Sequence, residues 1–248
     1  MISTKIFTID QIIISENTYI KKNSFSKLIN KASFQIVKYI KENIKKKKIL
    51  FLCGPGNNGL DGELTYIKLK SKKNKIIRID KKCTININEL KKRISEVDVI
   101  FDCIFGTGLN KKLNKGFISI INLVNHSKKK IISVDVPSGI NGDTGQIMGI
   151  SVRPDVTLCM EFMKTGYFLL PGKKFLGKIV RLKLGLKIPK NRQPKINLIS
   201  KSCFKNKIPL FGLEINKYDK GHVLVIGGEM PGAPRLVALS SRKSGAGL

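Results

Sequence analysis

The 248-residue sequence has no tryptophan, two histidines and few acids, with 17 Asp and Glu against 47 Lys and Arg. His126 and His222 belong to no ligand-spaced cluster, which argues against a transition-metal centre. His126 sits in the polar stretch NHSKKK and the serine of VPSG lies on no G-x-S-x-G turn, so a Ser-His-Asp hydrolase has no support. The five cysteines are odd in number and form no CxxC pair, which argues against a disulfide framework or a zinc site. Cys53, Cys103 and Cys159 fall in apolar, strand-like runs, where a thiol acts as a small buried hydrophobe. No apolar run approaches the ~20 residues that cross a bilayer. The start, MISTKIFTID, lacks the basic-then-apolar pattern of a signal peptide. No internal repeat is evident. The expectation is a protein of the reducing cytoplasm with no membrane partner.

The shortage of acids leaves a net charge of +30 (47 − 17). Lysines occur throughout, as KKKK (45–48), SKKNK (71–75) and SKKK (127–130). That distribution describes a solvated surface bias more than a polyanion-binding site, so nucleic acid is not an expected partner. The field would still help recruit a phosphate-bearing ligand. With 42% hydrophobic residues the chain can bury a core, and its length allows one sizeable domain plus part of another.

Apolar residues at 3–4 spacing predict two N-terminal helices, over IDQIIISENTYI and FSKLINKASFQIVKYI. Short apolar runs follow at 48–53, 75–80, 97–105, 130–136, 155–160 and 178–184, with helix-length segments at 60–72, 86–96 and 116–126. Buried strands alternating with helices predict an α/β fold: a three-layer α/β/α, Rossmann-like domain on a mostly parallel sheet. A connecting segment is expected over 191–213, rich in Lys, Asn and Pro. A new strand, GHVLVIGG (221–228), and a small-residue helix then open a second, incomplete α/β unit. The expected organisation is a domain over 1–190, a connecting segment over 191–213 and the start of a second domain over 214–248.

In mostly parallel sheets ligands bind at the carboxyl ends of the strands, and three strand ends are distinctive. GPGNNGLDG contains Gly54, Gly56 and Gly59 in the G-x-G-x-x-G pattern, with Asp80 at the next strand end, the outline of a dinucleotide fingerprint. Its Asn57, Asn58 and Asp61 add amides and a carboxylate at a helix start, where backbone N–H groups favour an anion. DCIFGTGL places Asp102 inside an apolar strand, costly for a carboxylate without partners. DVPSGINGDTG begins with Asp135, also late in a strand. Each Asp alone could serve as structural glue for loop amides. Asn58, Asp102 and Ser138 together form an oxygen-donor set that suits a hard cation.

These three motifs, with MEFMKTGYFLLPG, make residues 5–187 resemble the NAD(P)H-hydrate epimerase family, also called the YjeF amino-terminal domain. NKYDKGHVLVIGG and GAPRLVALSSRKSGAGL resemble the start of an ADP-dependent NAD(P)H-hydrate dehydratase domain, which is ribokinase-like. The resemblance implies an isomerase that interconverts the R and S forms of NADHX and NADPHX, as nicotinamide-cofactor repair, with a bound potassium ion. It implies that Asn57, Asn58, Gly59, Leu60 and Asp61, the turn Gly106, Thr107, Gly108, Leu109, Asn110, Lys111 and Lys112, and Asp135 contact the substrate. It implies that Asn58, Asp102 and Ser138 hold the potassium. Asp135 is the first candidate for acid–base work and Lys164 the second. Leu60 stands where the family has a glycine, and Glu63 where apolar residues are frequent. ADP or ATP would serve only the dehydratase (lyase) part of a multifunctional enzyme, which is expected to be missing here. Self-association into a homo-oligomer stays open. The alternatives are a non-catalytic nucleotide- or RNA-binding scaffold of the same fold and a conventional Rossmann oxidoreductase.

Overall fold

Ile49–Cys53 (β2), Val99–Cys103 (β4) and Val156–Met160 (β6) are buried along their whole length, a pattern that only strands covered on both faces sustain. In the computed structural model, which describes residues 4–194, 196–199, 203, 212 and 214–247, they lie in one sheet. Lys75–Arg78 (β3), Lys130–Val134 (β5) and Lys178–Leu182 (β7) complete it, and all six strands run parallel in the order β3-β2-β4-β5-β6-β7.

Alternate residues feed opposite faces. Ile49, Phe51, Cys53, Phe101 and Val134 pack under Ile9–Lys22 (α1), Phe25–Asn43 (α2) and Asn57–Leu69 (α3). Leu50, Leu52, Ile100 and Ile131 pack against Ile87–Ser95 (α4) and Lys115–His126 (α5) on the other face. The result is the expected α/β/α sandwich with its two N-terminal helices. Thr8 caps α1 in a reciprocal capping box with Gln11, and Ser24 caps α2 by accepting from Lys27 N at 3.1 Å. α2 buries Leu28, Ala32, Ile36 and Ile40 at helical spacing.

The order of the strands fixes where a ligand can enter. From β2 the chain crosses by α3 to β3 on one side, and returns by α4 to β4 on the other. The turns after β2 and β4 therefore diverge to opposite faces and leave a crevice between their carboxyl ends.

Two short strands were not anticipated. Thr4–Ile6 (β1) pairs antiparallel with Ile196–Leu198 (β8), three residues drawn from the stretch read as a connecting segment. Their pairing carries the first compact unit through Leu198, and the residues from Ile199 on form a second. Most of the remaining 199–213 stretch lies outside the described residues. In the second unit the helix Gly232–Lys243 (α6) is present, but GHVLVIGG forms no strand. Leu224 and Ile226 there are 85% and 87% exposed, and no neighbouring strand pairs with their backbone among the described residues. Strand propensity without a ladder partner does not make a strand.

Candidate active site

A cavity of about 640 Å³ opens at the carboxyl ends of β2, β4 and β5. Its walls come from the turn at Pro55–Asn58, the turn at 104–109, Asp61 of α3, Asp135, and the α1 and α2 faces. The turns approach closely because two glycines let them. A Cβ on Gly54 would collide with the Ile104 carbonyl, and one on Gly59 with the Gly54 carbonyl.

Asp135 follows β5 with φ of 66°, a left-handed backbone that costs a non-glycine residue about 1 kcal/mol. Neighbours hold it there. The Tyr167 hydroxyl donates to its carbonyl, and Lys164 Nζ donates to its Oδ1 at 2.5 Å. Lys164 has no exposed surface and donates also to the Met160 carbonyl at 3.2 Å. Burial pulls the Lys164 ammonium down, but the Asp135 carboxylate, with Cys159 and Glu16, outweighs it and the net direction is up. The pair presents a carboxylate to the cavity with its counter-charge buried behind it.

Beneath the crevice, Asp102 is buried and hydrogen-bonded through both carboxylate oxygens. Its Oδ2 accepts from Ser133 Oγ at 2.7 Å and Ser138 N at 2.9 Å, and its Oδ1 from Ser138 Oγ at 2.5 Å and Ile104 N at 3.3 Å. Burial pushes its carboxyl up against the opposing pull of these hydrogen bonds. Ser138 Oγ in turn accepts from Phe105 N at 2.8 Å. Asn58 Nδ2 donates to the Phe105 and Val134 carbonyls at 2.9 and 3.2 Å, while its buried Oδ1 has no hydrogen-bond partner. An orphaned amide oxygen, two carbonyls, a hydroxyl and one shared carboxylate form an all-oxygen set, which fits a hard cation of low charge. Among the described residues no group of three or more His, Cys, Asp or Glu could hold a metal.

Two further carboxyls face the same space. Asp61 is buried with an unpartnered Oδ1. Burial, then Asp135 and Glu16, push it well above the usual carboxylate range, and Lys68 pulls the other way. Glu16 on α1 is raised to about 7, first by burial and then by Asp135, with Lys164 opposing.

Of the residues expected from the sequence, Asn57, Asn58, Asp61, Gly106, Thr107, Gly108, Leu109 and Asp135 line the cavity. Asp102, Ser138 and Lys164 lie beneath it, and Gly59 packs on Gly54. Leu60, Asn110, Lys111 and Lys112 do not line it. Leu60 is 42% exposed on the outer side of α3, and after Leu109 the chain turns away so that Leu113 N can bond the Met148 carbonyl at 2.9 Å. Glu63 follows the motif as an ion-pair partner of Arg78 at 3.0 Å. Sequence reasoning missed Glu16 and Lys81, both in the cavity wall. Glu16 had a legible signal: it shares a helical stripe with Ile12, Ile13 and Ile20.

A family model described as YjeF-related protein N-terminus matches residues 65–166. The NAD(P)H-hydrate epimerase of Oenococcus oeni is 30% identical over 188 residues, 66% of this chain and 88% of that protein. Bifunctional NAD(P)H-hydrate repair enzymes of Dictyoglomus turgidum and Thermofilum pendens are 34% and 29% identical over 87% and 79% of this chain. The chain spans about half the length of these bifunctional relatives, 47% and 42%. The fold is similar to the crystal structure of yeast ynu0, with a TM-score of 0.57 at 19% identity over 71% of this chain and 87% of that one. This chain belongs to the NAD(P)H-hydrate epimerase family.

Proposed function

We propose that the domain built on the six-stranded sheet interconverts the R and S forms of NADHX and NADPHX. The observation that carries this reading is the Asp135–Lys164 pair, which presents a carboxylate to a crevice walled by two diverging glycine-rich turns. The turns at 54–58 and 104–109 offer backbone N–H groups and the α3 N-terminus to a pyrophosphate. Lys81 in the wall adds a positive charge. At C6 of the substrate the hydroxyl sits beside the ring nitrogen, so the carbon can lose and regain oxygen through an iminium-like or ring-opened state. A carboxylate beside that carbon accepts and returns the proton this requires, and that role is assigned to Asp135, which lines the cavity. The substrate contacts are assigned to Asn57, Asn58, Asp61, the turn from Gly106 to Leu109, and Asp135.

A potassium ion suits the oxygen set of Asn58, Asp102 and Ser138 with the Phe105 and Val134 carbonyls. When bound, it supplies positive charge beneath the glycine-rich turns, favouring a phosphate-bearing ligand above them. Residues 214–248 are read as the opening of a dehydratase domain, yet among the described residues they hold one helix and no strand. Dehydration dependent on ADP or ATP is therefore outside the proposal. No helix among the described residues is long and apolar enough to cross a membrane, and the buried thiols Cys53, Cys103 and Cys159 suit a reducing cytoplasm.

The test follows purified R and S epimers of NADHX separately, with potassium present. Wild type should accelerate their interconversion, and Asp135→Asn should not. A wild-type protein that leaves the epimer ratio drifting at the spontaneous rate overturns the proposal.

A further inference from the structure

α1 turns one stripe toward the cavity: Ile13, Glu16, Asn17 and Ile20, spaced i, i+3, i+4 and i+7. Glu16 is the only ionisable member of that stripe, in a chain with 17 acids against 47 basic residues. The α2 residues in the same wall, Phe25, Leu28, Ile29 and Ala32, are all uncharged. The charged and titratable groups that face Glu16 come from elsewhere. They are Asp61 of α3, Lys81 after β3, and Asp135 after β5 with Lys164 behind it. Each of Asp61, Asp135 and Lys164 is close enough to be coupled electrostatically to Glu16.

We propose that Glu16 is a second acid–base residue of this site, acting on the C6 hydroxyl from the α1 wall while Asp135, paired with Lys164, acts from the sheet side. The proposal rests on the epimerase reading above. Inversion at a single carbon through a planar iminium needs a proton delivered to the departing hydroxyl on one face and removed from an incoming water on the other. The protonated Glu16 carboxyl gives its proton to the C6 hydroxyl. The C6–O bond breaks, its electron pair leaves in water, and the ring-nitrogen lone pair forms the C=N bond. A water on the opposite face then bonds to C6 through an oxygen lone pair, returns the C=N electrons to nitrogen, and passes its extra proton to Asp135. Solvent carries that proton back to Glu16. Water is the only co-reactant, and nothing is oxidised or reduced. In the reverse direction the two carboxyls exchange roles.

Such exchange favours a carboxyl that titrates near ambient pH. Glu16, lifted to about 7 by burial and by Asp135, meets that condition. An ordinary glutamate would be protonated only to roughly 0.2% at neutral pH.

The test measures kcat and KM for interconversion of the NADHX epimers across the neutral pH range in wild type, Glu16→Gln and Glu16→Asp, with thermal unfolding of each. Wild-type kcat should change through a titration at about 7. Glu16→Gln should lose that limb and about 100-fold in kcat with KM little changed, and Glu16→Asp should recover part of the rate. A Glu16→Gln enzyme with wild-type kcat and an unaltered pH profile overturns this proposal and leaves the epimerase reading intact. A wild type that does not interconvert the epimers overturns both. If Glu16→Gln fails to fold, the wild-type profile decides, and absence of the neutral limb counts against Glu16.

Discussion

Lys164, without exposed surface, holds its Nζ 2.5 Å from Asp135 Oδ1, so the carboxylate that faces the cavity is balanced by a charge water cannot reach. Removing one partner strands the other. Asp135→Asn is expected to destabilise the domain by about 3 kcal/mol, because a buried ammonium loses its counter-charge. Asp135→Asn/Lys164→Met should recover most of that stability and none of the activity. Urea unfolding together with the epimer assay separates the two effects. If the single variant proves as stable as wild type, the pair is not holding the site.

The Glu16 carboxyl makes a prediction about stability and pH that is independent of catalysis. Its pKa rises from 4.5 in the unfolded reference to about 7 in the folded protein. The folded state thus binds the proton more tightly, so this group contributes stability below the unfolded value and loses it as pH rises through about 7. Over that window the loss approaches about 3 kcal/mol. Glu16→Gln, which cannot ionise, should therefore gain on wild type as pH rises from acid toward neutral, and end as the more stable protein. Parallel denaturant titrations at several pH values measure the gap, and a gap that stays flat with pH would show that Glu16 is not burdened by its surroundings.

The orphaned Asn58 Oδ1 leads to a prediction about cations. A ligand that binds only the folded state raises the unfolding temperature in proportion to the logarithm of its concentration over its Kd. Potassium should raise the wild-type midpoint more than an equal concentration of lithium or choline. Asn58→Ala and Ser138→Ala should abolish the difference. Equal midpoints in all three salts would remove the cation from the account.

Much of this architecture was open to reading in one sequence, for physical reasons. Fully buried strands such as Ile49–Cys53 are nearly all apolar, and glycine-rich turns at their ends announce close backbone approach. β1 and β8 were illegible because each has three residues and exists only through a pairing between distant parts of the chain. GHVLVIGG was over-read for the complementary reason: its local preference is strong and its partner is not there among the described residues. In the site, the family resemblance implied Leu60 and the run Asn110 to Lys112, but helix phase and the Leu113–Met148 hydrogen bond turn them from the cavity. Glu16 carries a signal in its helical stripe, but that stripe reads as core packing until the assembled cavity shows that part of it faces a ligand site.

The turn after β2 allows the most local test. Gly59 sits in the first turn of α3, and its hydrogen atom faces the Gly54 carbonyl where any side chain would collide with backbone. Gly54 N is itself held by the Cys103 carbonyl at 3.1 Å, and a Cβ on Gly54 would strike Ile104, so the turn cannot retreat toward β4. Gly59→Ala must therefore push α3 outward, carrying Asn58 and Asp61 with it. The expected cost is about 2 kcal/mol, typical of overpacking, together with loss of epimerisation and of the potassium-dependent midpoint shift. Gly56→Ala, with nothing within 4 Å of the added Cβ, should keep wild-type stability and the potassium-dependent midpoint shift. A Gly59→Ala protein with wild-type stability and cation response would show that the close packing of this turn does not set the site.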